Sequence, residues 1–287
     1  MKDTIAYIND RRVKNQKAAI SVFDYTLHCG VGLFESILGV DNRLIYLDQH
    51  LDRLELGIKR LDVNFNYNRQ RLTATLEKLV KEHPARVKKI KIILTIGYSP
   101  LWPGDKPEPS TICMAIPHRL EFKRQKVILS PMIITPANPM RGLKMTNFGT
   151  EWMSQYRAAQ AGYNQGIIVN NRGYIAETGS ANLFMVRDGR LFTPPVISGG
   201  LPGTIRGKVI EIAHINRIPC REKKIKPEML AQADEIFTTS SFKLIWPVVE
   251  LKLDRTYKFE PGPVARALFN CLKSIFLDNS DDLTLNL

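Results

Sequence analysis

The 287 residues predict an α+β chain rather than a doubly wound parallel sheet. Hairpin signals recur in both halves, strand and helix periodicities alternate irregularly, and one charged stretch separates the two patterns. Ile5 to Ile8 alternates, Asn9-Asp10 turns, and strand-like residues resume toward Ile20 to Phe23. A helix follows Asp48, whose side chain suits the open amides of a first turn, and Leu51, Leu54, Ile58 and Leu61 share one face. A second helix runs through Leu72, Leu76, Leu79 and Val80 and stops before Pro84. Lys89 to Ile96 is rich in β-branched residues and predicts a strand, whereas Tyr98 to Pro109 holds four prolines and predicts a loop. A strand at Ile112 to Ile116 runs into the charged stretch His118 to Lys126. The expected division is therefore a small domain over 1–118, a linker over 119–126 and a larger domain over 127–287.

In the second part Val127 to Ile134 predicts a strand, and Thr150 to Ala161 a helix that Gly162 ends. Gly166 to Val169 and Gly173 to Ala176 form one hairpin; Leu183 to Val186 and Arg190 to Phe192 form another around Asp188-Gly189. A helix opens near Thr204. The last elements are a strand at Glu235 to Thr239 and a helix from about Pro263 to Phe276.

Composition points to a globular enzyme, with 44% apolar and 24% charged residues. No apolar run approaches bilayer-crossing length, and the N-terminus lacks a secretory pattern, so the expected location is the cytoplasm with no membrane partner. The net charge of +13 raises the question of nucleic acid, but the 41 Lys and Arg are dispersed and no recognition motif accompanies them. Solvated basic surface, well suited to an anionic substrate or cofactor, is the expectation instead. Cys29, Cys113, Cys220 and Cys271 and the five histidines show no metal-ligand spacing, so reduced thiols and no metal are expected.

Two segments invite chemistry. Gly199-Gly-Leu-Pro-Gly-Thr-Ile-Arg206 leads into a helix and reads either as an anion cradle or as a glycine-rich turn; neither the Walker nor the dinucleotide spacing is present. Asp24 to Glu35 places two glycines among polar groups between strand-like runs, and reads as a functional loop or a tight turn.

Taken in order, Asp24 to Glu35, His50 to Leu54, Gly142 to Asn147, Glu177 to Phe184, Thr193 to Pro195 and Leu201 to Arg206 resemble the motifs of the fold-type IV, class IV aminotransferase group, which includes branched-chain aminotransferases, D-amino acid aminotransferases and aminodeoxychorismate lyases. Asp24 to Glu35 resembles the N-terminal motif of branched-chain enzymes, and His50-Leu-Asp-Arg-Leu54 the H-x-x-R-L helix. Gly142-Leu-Lys-Met-Thr-Asn147 is similar to the strand end that carries the cofactor lysine. Glu177-Thr-Gly-Ser-Ala-Asn-Leu-Phe184, Thr193-Pro-Pro195 and Leu201-Pro-Gly-Thr-Ile-Arg206 follow with fitting intervals.

The resemblance implies two domains with pyridoxal 5′-phosphate in the cleft between them, and a homodimer. Lys144 would carry the cofactor as a Schiff base and then move the substrate α-proton. Glu177 would face the pyridine nitrogen; Arg53, the amides of Thr204 and Ile205, and Ser241 would hold the phosphate. Phe34, Lys91 and Cys29 are the candidate substrate contacts, with Lys91 assigned the carboxylate. Its plainer reading is a strand lysine facing water.

Five departures bear on substrate. Cys29 and Phe148 stand where branched-chain enzymes carry tyrosines. Thr95 to Pro103 lacks the arginine and histidine of D-amino acid enzymes. Ser240-Ser-Phe-Lys-Leu-Ile-Trp-Pro-Val248, and Ser180 in place of a glycine, look more like the lyases. The expected activity is transfer of an amino group between a hydrophobic or branched-chain amino acid and a 2-oxo acid, with apolar surroundings from Leu27, Phe34 and Trp102. Release of pyruvate and p-aminobenzoate from aminodeoxychorismate is the alternative.

Overall fold

The computed structural model describes residues 4–14, 18–98, 108–278, 283 and 285. Trp102 and most of the proline-rich loop lie outside them. The described chain divides into two compact units, residues 1–120 with 143–148, and residues 121–142 with 149–287.

The first unit holds β1 (Ile5–Ile8), β2 (Arg11–Val13), the short helix α1 (Tyr25–Cys29), β3 (Gly32–Val40) and β4 (Arg43–Leu44). Helices α2 (Leu47–Leu61) and α3 (Arg69–Glu82) and strands β5 (Val87–Thr95) and β6 (Thr111–Pro117) complete it. Its sheet runs β2-β1-β6-β5-β3-β4, every pair antiparallel. One face packs Leu33, Ile37, Ile90, Ile92 and Leu94 against Leu51 and Leu54 of α2 and Leu72, Leu76 and Leu79 of α3. The helical spacing read from sequence therefore marks the buried faces.

Asp48 is not the α2 cap: Tyr46 holds that position, and Asp48 pairs with Arg69 at 2.8 Å. Ile20 to Phe23 forms no strand; the hairpin instead closes at once into β2. Asp24 to Glu35 is not a loop either. Asp24 accepts the Thr26 amide at 2.8 Å to cap α1, and the rest of the motif is already β3. Gly30 ends α1 at φ 68°, where a Cβ would press on Asn147.

The second unit carries β7 (Gln125–Ile134), α4 (Gly149–Gln160), β8 (Gln165–Asn170), β9 (Ile175–Thr178), β10 (Asn182–Arg187) and β11 (Arg190–Thr193). Then come α5 (Thr204–Ile215), β12 (Cys220–Glu222), β13 (Glu235–Ser240), β14 (Leu244–Lys252), β15 (Thr256–Lys258) and α6 (Pro263–Lys273). Its sheet runs β12-β11-β10-β13-β14-β7-β8-β9, with β15 paired to β14. Parallel pairing is confined to β11-β12, β14-β7 and β7-β8, which gives the mixed sheet of an α+β chain.

Two expectations are corrected here. The charged stretch does not remain a linker, because β7 begins at Gln125 within it. The segment 143–148 does not cluster with the larger domain: the Phe34 amide donates to Lys144 O at 2.8 Å, and the Thr146 amide to Gly32 O at 2.9 Å. Main-chain pairing to β3 ties the lysine to the first unit.

Candidate active site

In the first unit the site grows from β3 and α2. Phe34 and Glu35 point to opposite faces of β3, as the strand period requires. Glu35 is fully buried on the helix side, where Arg53 Nε donates to its Oε1 and Arg53 Nη2 to its Oε2, both at 2.7 Å. His50, one turn earlier on α2, lies 2.7 Å from Glu35 Oε2 through Nδ1. An ionised carboxylate only accepts, so Nδ1 carries the proton. Burial alone would raise the Glu35 pKa, but the Arg53 charge and the hydrogen bonds from His50 and Arg53 hold it well below the usual carboxylate range. Burial lowers the His50 pKa against the pull of Glu35, and the charges of Arg53 and Lys144 add to the lowering. The neutral tautomer that donates to Glu35 is the form this geometry favours.

On the opposite face, Lys144 Nζ stands 4.4 Å from the Phe34 ring centroid, and Lys91 Nζ stands 5.1 Å from it. Phe148 meets the same ring edge-on at 5.8 Å. Lys91 reaches this face because β5 pairs it with Ser36 of β3, and burial lowers its pKa. Lys144, Lys91, Phe34 and Phe148 thus share one apolar neighbourhood. Cys29 is the exposed last residue of α1, and Leu27 is also exposed.

In the second unit, Glu177 Oε2 accepts from the Leu201 amide at 3.1 Å and from Asn182 Nδ2 at 3.4 Å. Asn182 also donates to Leu201 O at 2.8 Å, so one amide side chain fixes both the carboxylate and the loop before α5. Gly203 starts α5 without a side-chain cap, and a Cβ there would run into Asn182 Oδ1. Thr239, cross-strand partner of Asn182, is 1% exposed, and its hydroxyl has no hydrogen-bond partner among the described residues. Ser241 follows the end of β13, which packs against α5. Uncapped first-turn amides at Thr204 and Ile205, a buried hydroxyl without a partner and a glycine that admits close approach are the donor set a phosphate requires. These residues fit pyridoxal phosphate.

The sequence singled out Lys144, Arg53, Glu177, Thr204, Ile205 and Ser241, but gave no role to Glu35, His50, Asn182 or Thr239. Glu35 and His50 lie inside the quoted motifs; their mutual contact has no sequence signal.

The two units, with a lysine pinned to β3 and a glycine-led helix start beside a carboxylate, have the fold of the fold-type IV enzymes. Residues 32–251 match the family model for class IV aminotransferases, and the chain belongs to that family. A putative branched-chain-amino-acid aminotransferase of Methanocaldococcus jannaschii is 28% identical over 276 residues, covering 94% of this chain and 95% of that protein. The aminodeoxychorismate lyase of Bacillus subtilis is 25% identical over 270 residues, with 91% of each covered. Among solved structures, the branched-chain aminotransferase of Thermoproteus uzoniensis with norvaline superposes with a TM-score of 0.89 at 25% identity, over 96% of both chains. The branched-chain amino acid aminotransferase of Escherichia coli does so with 0.87 at 25% identity, over 97% of this chain and 96% of that one.

Proposed function

We propose that this class IV aminotransferase uses pyridoxal 5′-phosphate to move an amino group between a branched-chain or other hydrophobic amino acid and a 2-oxo acid, in two half-reactions. The observation that carries the substrate class is the placement of the Lys144 amine against the Phe34 ring, with Phe148 edge-on to it. Such a wall favours an aliphatic side chain beside the reacting carbon.

Bound pyridoxal phosphate supplies the electron sink for negative charge developing at the substrate Cα. Lys144 would anchor it, and its amine would accept the substrate α-proton and return it. Glu177, oriented by Asn182 and the Leu201 amide, holds a proton on the pyridine nitrogen. Arg53, kept in place by Glu35, neutralises the phosphate with help from the Thr204 and Ile205 amides and the Ser241 hydroxyl. Lys91 takes the substrate carboxylate, and Cys29 borders the entry. Homodimer formation belongs to the same reading; Val22, Phe23 and Leu27 present exposed apolar surface that association would cover.

The experiment is a half-reaction spectrum. Loss of the visible cofactor band with leucine, isoleucine, valine or glutamate supports the transaminase. No change with any amino acid, together with pyruvate released from aminodeoxychorismate, replaces this reading with the lyase. A specific contact favours that second reading: Lys243 donates to Ser180 Oγ at 3.1 Å, joining the two lyase-like segments. Lys144→Ala abolishes band and activity together; a band that persists sinks the assignment of the lysine.

A further inference from the structure

The second unit contains a cavity of ≈ 290 Å³ that none of the groups assigned above lines. Its walls come from four places: the strand end after β7 at Thr135 to Ala137, the turn between β8 and β9, the 3₁₀ turn Val196–Ser198, and Lys224 just after β12. Pro136, Ala137 and Ile197 make much of the lining apolar, and no Asp or Glu lines it. Arg172 and Lys224 enter from separate segments, and neither forms an ion pair among the described residues. Lys224 Nζ lies 5.7 Å from the Tyr174 ring centroid, on the cavity wall. Ser198, 3% exposed, lies among the lining residues, while its hydroxyl is sealed from solvent and has no hydrogen-bond partner among the described residues.

The wall is fixed before any ligand arrives. Asn170, itself buried, donates to Ser198 O at 3.1 Å and accepts the amides of Arg172 at 3.0 Å and Tyr174 at 3.1 Å. One side chain therefore holds the hydroxyl-bearing turn and the arginine-bearing turn in register. Two cations with no counter-charge above an apolar floor are complementary to one kind of guest.

We propose that this cavity is a second binding site, for a small organic carboxylate whose apolar body lies along Pro136 and Ile197 and whose head meets Arg172 and Lys224. The planar guanidinium of Arg172 suits a carboxylate pair of oxygens, with Lys224 adding a point charge. The site is independent of the cofactor assignments.

The test is fluorine NMR titration of 4-(trifluoromethyl)benzoate into the cofactor-loaded protein. One saturable site is expected. The double variant Arg172→Ala/Lys224→Ala should weaken it about tenfold or more while leaving transaminase activity unchanged, and the uncharged methyl ester should not bind. Ser198→Ala, which removes a hydroxyl sealed from the cavity, should bind as the parent does. Lys144→Ala should bind as the parent does. Absence of saturable binding, binding that survives loss of both cations, or binding lost with Lys144 overturns the proposal. Equally strong displacement by inorganic phosphate overturns the choice of a carboxylate.

Discussion

Arg53 lies flat against Glu35, with Nε and Nη2 each 2.7 Å from a different carboxylate oxygen, and the carboxylate is wholly buried. The helix arginine to which the proposed function gives the phosphate is thereby held in one rotamer by a strand residue beneath it. Removing one partner of such a pair leaves the other charge uncompensated, at a cost of about 3–5 kcal/mol. Glu35→Gln should lower the denaturation midpoint accordingly. It should also weaken pyridoxal phosphate more than pyridoxal, because only the former needs the oriented arginine. Equal weakening of both ligands would show that Glu35 supports the fold and not the phosphate grip.

The same cluster sets a pH dependence. Glu35 is depressed in the folded chain, so its contribution is complete above the unfolded value of about 4.3 and is lost as pH falls toward the folded one. His50 is also depressed, by burial first, so the unfolded chain takes up a proton below about pH 6.5 that the folded chain resists. Both act in one direction. Urea midpoints should be level near neutrality, decline below about pH 6.5, and fall more steeply below about 4.3. In His50→Asn, whose amide can still donate to Glu35, the first decline should flatten. An unchanged first decline would assign it to another group.

How much of this was legible beforehand depended on whether a feature is local. The α2 and α3 faces followed from Leu spacing, and Arg53 and Lys144 stood out from short motifs. Glu35 did not, because its partner sits 18 residues away on another element. The strand-like run after Glu35 was visible, but not its start at Gly32, because β3 is buried on nearly every residue, which erases the alternation that marks a half-exposed strand. Strand β14 was missed for another reason: Pro247 sits inside it, and proline argues against a central strand. The structure accommodates Pro247 opposite Phe237, next to a register shift between Val248 and Glu250. The bond from Phe34 to Lys144 O joins residues far apart in sequence, so no linear reading could attach the lysine to β3.

Two glycines at α5 should respond in opposite ways. Gly203→Ala drives a methyl group into the Asn182 amide, which also holds Leu201 and orients Glu177. Overpacking of this kind costs about 1–3 kcal/mol, and here it should also weaken cofactor affinity. Gly207 lies within the helix with open space around it, so Gly207→Ala should stabilise by about 0.5–1 kcal/mol through helix propensity alone. Thermal melts with and without pyridoxal phosphate separate the two. A Gly203→Ala protein with parental affinity would remove Asn182 from the phosphate site.

Lys91 offers the sharpest contrast between stability and function. Its ammonium is half-buried beside Phe34, forms no ion pair among the described residues, and is disfavoured by burial. The folded pKa lies below the unfolded one, so the charge costs stability at neutral pH, a cost relieved as pH rises toward the unfolded value near 10.4. Lys91→Met should therefore raise Tm at pH 7, and the gain should shrink at alkaline pH. With Lys91 on the substrate carboxylate, Lys91→Met raises KM for the amino acid about tenfold or more with a smaller change in kcat, and Lys91→Arg retains part of the binding. A higher Tm with an unchanged KM would make Lys91 a bystander and return the carboxylate to another group.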